Sequence, residues 1–279
     1  MGETVRHEFW TNGFVIIRQA LPVGHLNAIR DEVDAYLTAA AAPVTEVAAA
    51  DSDAGRYVYG HAVLAWADAF AAALRDGPLV PGIQRALGCD GPLTLLDDQV
   101  YVKEPGTHEV TPWHQDASYW ATSGRELCTA WLALDPVTAD TGGLEFVVGS
   151  HLWERAYRAP AFTAGQLVGD PADPAVPADS EIREQHVVAA PDIAAGDAVV
   201  FHATLLHGAG PNLSADLRRR ALVTRWAGAD VRFEPREYSS ARQVAKAERN
   251  GVRAGEPFGG PEYPRYQAAG LDLEREHAQ

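Results

Sequence analysis

Two periodicities divide this 279-residue sequence. Up to Leu87, apolar side chains recur every three or four residues, the spacing of one helical face. From Leu93 to Trp226 they recur every second residue, in short runs broken by Gly, Pro and Asp. Helices followed by many short strands predict a mainly β fold with flanking helices. The expected architecture is a double-stranded β-helix, a barrel of the jelly-roll or cupin sort, which leaves few strand edges open to water.

The opening segment 9–18 reads as a turn at Gly13 and then a strand through Phe14-Val15-Ile16-Ile17. Pro22 suits the first turn of a helix. Leu26, Ile29, Val33, Tyr36 and Leu37 then share one face. Residues 39–54 are Ala-rich with few large side chains and predict a loop or a poorly packed helix. Helix is expected again over 62–74, where Trp66 and Phe70 pack into the core, and over 81–87, ending at Gly88. A long strand covers 93–103, and a loop through Pro105-Gly106 leads to His114. Further strands are expected at 127–134, 144–148, 198–202 and 221–226, set off by Asp135-Pro136, Thr141-Gly142-Gly143 and Gly196-Asp197. Segment 156–191 has too many Pro and Asp interruptions for core, and the polar tail from Phe233 predicts mostly loop. No low-complexity linker divides the chain. One domain over 1–279 is expected, with 156–191 and 233–266 over the mouth of its active site.

The chain is 47% hydrophobic and 22% charged, enough for one large core. Its net charge of −15 disfavours phosphate backbones and anionic bilayers, so neither nucleic acid nor a membrane is an expected partner. No apolar run reaches the ~18 residues a spanning helix needs, and the opening does not resemble a signal peptide. Met1-Gly2 opens like a myristoylation site, but Arg6 stands where Ser or Thr is required. Cys89 and Cys128 are too few for a disulfide framework and lack zinc-ligand spacing. A reducing cytoplasm fits this usage. The sequence specifies no oligomeric state.

Metal chemistry concentrates in Trp113-His114-Gln115-Asp116 and in His207-Gly208-Ala209-Gly210-Pro211-Asn212 far downstream. Side chains two apart in an extended segment share a face, so His114 and Asp116 point one way and Gln115 the other. One more imidazole completes a set of two His and one carboxylate. That set caps three adjacent positions on a metal and leaves three open, as in a non-haem Fe(II) oxygenase. His207 is the candidate third ligand; the Gly-x-Gly-Pro-Asn context favours it over His202, which reads as core or supporting. His151 reads as structural, and His108 as a loop residue before the metal motif, with substrate contact the lesser alternative. Tyr119 and Trp120 read as either mouth or core, and Glu145 as facing outward.

These motifs, with Thr129-Ala130-Trp131-Leu132-Ala133-Leu134-Asp135, Gly142-Gly143-Leu144-Glu145-Phe146-Val147-Val148-Gly149-Ser150-His151 and Gly196-Asp197, resemble the phytanoyl-CoA dioxygenase family of Fe(II)/2-oxoglutarate-dependent oxygenases. The Arg-Arg-Ala-Leu run after the distal histidine fits as well. Order and approximate spacing match over 93–226, and the opening strand and helix fit too.

The resemblance implies a distorted jelly-roll barrel with Fe(II) held by His114, Asp116 and His207, and with 2-oxoglutarate and O2 as cosubstrates. It also implies an arginine on the strand after His207 that holds the far carboxylate, because a planar guanidinium offers two parallel donors where lysine offers a point charge. Counting forward from His207 favours Arg218. Counting back from Ala221-Leu222 favours Arg219, which is preferred because strand register holds better than turn length. Arg219 then shares a face with Ala221 and Val223. By family position, Gln99 and Trp131 also belong to the 2-oxoglutarate pocket. Ala209 stands where several relatives carry Ser, so one cosubstrate hydrogen bond is expected to be missing.

The implied reaction oxidises an unactivated C–H bond of a small organic molecule while 2-oxoglutarate becomes succinate and CO2. Hydroxylation in secondary metabolism is the default; desaturation, epimerisation and cyclisation use the same oxidant. Related halogenases replace the motif's carboxylate with a small residue, so Asp116 disfavours halogenation. A CoA thioester would need a basic surface, and none is legible. Two other readings stay open: a Zn or Mn cupin-like enzyme without 2-oxoglutarate, and a non-catalytic small-ligand-binding protein.

Overall fold

A computed structural model describes residues 2–49, 55–160 and 167–267. Its helices are α1 (Gly2–Asn12), α2 (Val23–Thr38), α3 (Asp68–Asp76), α4 (Leu79–Leu87), α5 (Asp179–Gln185) and α6 (Ala241–Arg249). Its strands are β1 (Phe14–Ile17), β2 (Val44–Ala48), β3 (Tyr57–His61), β4 (Leu93–Lys103), β5 (Thr111–His114), β6 (Thr122–Ser123), β7 (Leu127–Ala133) and β8 (Leu144–Val147). They continue with β9 (Ala159–Pro160), β10 (Leu167–Val168), β11 (Val188–Ala189), β12 (Ala198–His202), β13 (His207–Ala209), β14 (Arg219–Ala227), β15 (Arg232–Phe233) and β16 (Arg265–Tyr266).

An eight-stranded sheet runs β1-β12-β7-β14-β4-β3-β2, with β16 beside β4. A four-stranded sheet runs β11-β8-β13-β5. The pairings within both are antiparallel. The mainly β expectation with flanking helices holds, in the form of two facing jelly-roll sheets.

Side-chain alternation splits the large sheet into two faces. Ala130, Leu132, Val200 and Leu222 point outward and pack with Phe9, Ile29, Val33, Phe70, Leu74 and Ile83 of the first four helices. Trp131, Ala133, Val199, Phe201, Ala221 and Val223 point inward and meet Leu144, Phe146 and Ala209 of the small sheet. The functional residues lie between the sheets, at one end of this second core. Strand β13 is the central rib of the small sheet, between β8 and β5. A Cβ at Gly208 would lie 2.9 Å from the Thr111 carbonyl oxygen, so only glycine lets the three strands close here.

Several elements differ from the sequence reading. Residues 9–12 close α1 rather than forming an irregular lead-in. Within 39–54, residues 44–48 form edge strand β2, paired with β3; Val44, Thr45 and Val47 carry the β-branched alternation that the alanines hid. Residues 50–54 lie outside the described set. Helix over 62–74 breaks into a 3-10 turn at Val63–Ala65 and α3, with Ala62 left-handed and Trp66 42% exposed. The tail, expected as loop, contains α6: Ala, Lys, Arg, Glu and Gln favour helix without an apolar stripe. Segment 156–191, of which 161–166 lie outside the described residues, holds the hairpin of β9 and β10 and the short α5. Among the described residues, no helix is long and apolar enough to cross a membrane.

Gly13, between α1 and β1, has φ +88°. A Cβ there would come within 2.3 Å of Leu205 Cδ1 and 2.6 Å of His151 Nδ1. Left-handed strain and overpacking together are worth about 2 kcal/mol or more. Gly13→Ala is expected to lower the urea midpoint accordingly, measured by circular dichroism; an unchanged midpoint would show that the α1–β1 joint relaxes freely.

Candidate active site

Antiparallel pairing builds the site. His207 at the start of β13 is the register partner of His114 at the end of β5, and their ring centroids are 4.1 Å apart. Gln115 keeps an extended backbone, with φ −114° and ψ 123°, so Asp116 returns to the His114 face as the 3-10 turn 116–118 begins. One ligand atom from each of His114, Asp116 and His207 lies within 4.8 Å of the other two. Gln115 points the other way: its amide donates to the Thr204 carbonyl at 2.8 Å and accepts from the Tyr157 amide at 3.0 Å.

Neighbouring groups fix each candidate ligand. His114 Nδ1 is 2.8 Å from the Pro112 carbonyl, and His207 Nδ1 is 2.9 Å from that of Leu205. A carbonyl only accepts, so both Nδ1 atoms carry the proton and both Nε2 lone pairs are available to a metal. Burial, with His114 beside it, pushes His207 down to about 3, so it is neutral at physiological pH. Asp116 Oδ2 accepts from Thr129 Oγ1 at 2.7 Å, and Oδ1 from the Tyr119 hydroxyl at 3.2 Å. Burial pushes the Asp116 carboxyl up, but His114, Arg225 and His207 outweigh it and hold the group well below the usual carboxylate range. Two imidazoles whose Nε2 atoms face one point and a pinned carboxylate suit a divalent cation. Fixed Nε2 lone pairs, three adjacent ligands and an open side match a redox metal that must also take cosubstrate.

The three residues share a cavity of about 60 Å³ with Arg219, Trp131, Tyr57, Thr111 and Ala209. Arg219 is 2% exposed, and its guanidinium lies over the Trp131 ring at 5.6 Å. Its Nε is buried without a partner. Among the described residues no side chain forms an ion pair with it. An unpaired buried cation is costly, typically by several kcal/mol, so this cavity suits a carboxylate ligand. Arg218 and Arg220 turn to the opposite face. Arg218 pairs with Asp34 at 2.9 Å and Glu104 at 2.7 Å, and Arg220 with Asp135 at 2.8 Å and Asp34 at 2.9 Å. Asn212 anchors the turn that fixes this register, its amide donating to the Leu217 and Lys103 carbonyls at 2.8 and 3.1 Å.

A larger cavity of about 440 Å³ adjoins the first, and the two have His114, Tyr101, Tyr119 and Arg225 in common. Gln99 lines this larger cavity and not the one containing Arg219. Its amide nitrogen is 2.8 Å from His61 Nδ1, and its oxygen accepts from the Tyr101 hydroxyl at 2.9 Å and from Arg225. Tyr119 and Trp120 both face the larger cavity, and Trp120 is wholly buried. His108 is exposed and lines neither space. Glu145 faces outward to Arg183, at 2.8 Å. His151 Nε2 meets the Trp10 carbonyl at 3.2 Å, as expected of a structural residue.

Sequence reasoning missed Arg225 and Asp97. Arg225 is 7% exposed, donates to Asp97 at 3.0 Å and lies 4.0 Å from Asp116 Oδ1. The signal was present: counting by twos along β14 from Arg219 reaches Ala221, Val223 and then Arg225, on the same inward face.

A family model of phytanoyl-CoA dioxygenase matches residues 9–221. The chain belongs to the phytanoyl-CoA dioxygenase family. Membership bears out the oxygenase class, and with it iron, 2-oxoglutarate and O2. The chain is 31% identical over 107 residues to the 1-deoxypentalenic acid 11-beta-hydroxylase of Streptomyces arenae, covering 38% of this chain and 36% of that protein. It spans about a third to a half of the length of the curated relatives it matches first. Its fold is similar to that of the non-haem alpha-ketoglutarate-dependent carbocyclase SnoK of nogalamycin biosynthesis, at TM-score 0.73 and 20% identity over 96% of this chain and 97% of that one. It is also similar to the epimerase SnoN, solved with Fe3+, alpha-ketoglutarate and nogalamycin RO, at TM-score 0.71 and 23% identity over 95% and 98%.

His202, five residues before the candidate ligand, has both ring nitrogens engaged, by Thr204 Oγ1 at 2.7 Å and the Arg125 carbonyl at 3.0 Å. Burial pushes it down to about 4 from 6.5. The unfolded chain therefore binds its proton first, so its contribution to stability is complete above about pH 6.5 and lost as pH falls toward 4. Stability followed by urea unfolding is expected to fall across that window, and less steeply in His202→Gln. An equal slope in both proteins would remove His202 from the account.

Proposed function

We propose that this protein is an Fe(II)- and 2-oxoglutarate-dependent oxygenase that hydroxylates an unactivated C–H bond of a small organic molecule. The observation that carries this reading is the convergence of His114, Asp116 and His207 on one cavity also lined by buried Arg219, which forms no ion pair among the described residues. In this reading His114, Asp116 and His207 hold the iron, and Arg219 holds the far carboxylate of 2-oxoglutarate beside Trp131. Gln99 is assigned to the substrate side, since its amide faces the larger cavity. The iron and cosubstrates, when bound, supply the oxidant that removes a hydrogen atom from substrate and returns a hydroxyl.

The chain's own residues do the rest. The Pro112 and Leu205 carbonyls hold each imidazole in the tautomer a metal needs. Thr129 and Tyr119 hold the Asp116 carboxylate; burial and Asp116 raise the Tyr119 hydroxyl well above its ordinary range, so it stays a donor. Trp131, Phe201, Leu144 and Val223 keep water from the inner cavity. The Tyr57 and Thr111 hydroxyls, 3.2 Å apart beside Arg219, offer the polar contact that Ala209 cannot. Segments 156–191 and 233–266 serve as the mouth, since Pro160, Val168, Tyr238 and Arg242 line the larger cavity. We assign the chain to a single oxygenase domain in secondary metabolism, in keeping with relatives named as a hydroxylase, a carbocyclase and an epimerase.

Anaerobic titration with Fe(II) and then 2-oxoglutarate tests the assignment. A weak visible charge-transfer band is expected only with both, and not in Asp116→Ala. Iron binding without such a band would refute the cosubstrate site. Arg219→Lys keeps the charge but loses the parallel donors. It is expected to raise the 2-oxoglutarate concentration for half-formation of the band at least tenfold while leaving Fe(II) affinity unchanged. Equal 2-oxoglutarate affinity would move the carboxylate site elsewhere.

A further inference from the structure

The larger cavity carries a charge of its own. Arg225 donates to Asp97 Oδ2 at 3.0 Å, and Arg242 donates to the same oxygen. One carboxylate therefore serves two guanidinium groups. Asp116 is not a second counter-ion, because the proposed function commits it to the metal. His61, on the same wall, adds no negative charge: burial and then Arg242 push it down to about 4, against the opposing pull of Asp97. Tyr101 stays protonated, burial being the main cause. The wall thus holds one positive charge in excess, within a chain of net charge −15.

That excess is accessible at Arg242, whose side chain is 42% exposed and lines the cavity from α6. Asp97 is its only hydrogen-bond or ion-pair partner among the described residues. Ser240, also on the wall, precedes the helix, and its hydroxyl makes no capping bond. Away from these groups the cavity is lined by Pro112, Pro160, Val168 and the ring of Tyr119.

We propose that the substrate is a small organic acid whose carboxylate docks on Arg242, with Ser240 beside it, and whose hydrocarbon body extends toward His114. The proposal rests on the larger cavity being the substrate site of the oxygenase. Guanidinium–carboxylate pairing is geometrically matched. A monoanion brings the wall to neutrality, whereas a phosphate monoester, close to dianionic at neutral pH, overshoots it. Three consecutive ion pairs link Arg242 to Asp116: Arg242 to Asp97, Asp97 to Arg225 at 3.0 Å and Arg225 to Asp116 at 4.0 Å, so a body of modest length reaches the metal end. Seating α6 against the body of the fold does not by itself require Arg242. The Lys246 ammonium already donates to the Leu96 carbonyl at 2.8 Å, and Gln243 accepts from the Ala121 amide at 3.1 Å.

Anaerobic calorimetry of the protein loaded with Fe(II) and 2-oxoglutarate tests the proposal. The probes are 3-phenylpropanoate, 4-phenylbutanoate and cyclohexylacetate, each against its primary amide. At least one acid is expected to bind tenfold or more tightly than its amide. Arg242→Gln removes that preference and Arg242→Lys keeps part of it. Ser240→Asp, which leaves the arginine in place and suits a helix start, weakens the acid and spares the amide. If no acid exceeds its amide, absent binding included, or if the preference survives Arg242→Gln, the proposal is overturned. The charge-transfer band is recorded on the same samples. Its loss refutes the cosubstrate site, while an intact band without acid preference refutes only the anion-binding wall.

Discussion

The pairing of His207 with His114 across β13 and β5 decides where the chemistry sits, because side-chain direction in a strand flips with every residue. A slip of β5 by one position would send His114 to the outer face and leave Gln115, not Asp116, near the cavity. Several features hold that register. Gly208 admits the Thr111 carbonyl at a distance no other residue tolerates. Leu144 and Phe146 of β8 brace the same strand from its other edge, at Ala209 and His207. Asn212 then ties the following turn to the end of β4, which sets the phase of β14. The ligand positions and the inward arginines are consequences of one set of strand registers.

Along β14 the inward face carries Arg219 and Arg225, six residues and roughly 20 Å of strand apart. The first faces the smaller cavity without a counter-ion among the described residues, and the second is shared between Gln99 and Asp97 and approaches Asp116. Outward-facing Arg218 and Arg220 form ion pairs with Asp34, Glu104 and Asp135. The contrast is informative because all four lie on or beside the same strand. Among the described residues only Arg219 of the four forms no ion pair.

The legible part of the site was the part written in short-range spacing. His114 and Asp116 are two apart, and His207 lies in a Gly- and Pro-marked motif. Arg219 followed from alternation within a confident strand. Gln99 lines the larger cavity, its amide drawn to His61 and Arg225, a placement that family position does not specify for a long side chain. Asp97 and Arg242 meet across 145 residues, and no local pattern encodes such a contact. The fold shows the same division. Helices with apolar stripes and strands with strong alternation were read correctly, whereas β2 was masked by alanine.

Helix α6 was missed for the same reason that it matters. Of its residues only Ala247 is buried, so little hydrophobic area directs it to its place. Its attachments are polar instead: Arg242 to Asp97, Lys246 to the Leu96 carbonyl, Gln243 to the Ala121 amide, and the backbone of Ser240 to that of Tyr119 at 2.8 Å. A helix held this way brings hydroxyl and guanidinium groups to a cavity rim without covering the rim in hydrocarbon. Its position therefore responds to charge. An anion that shares Arg242 with Asp97 adds a further tie across the mouth, joining substrate binding to the seating of α6 over the metal end.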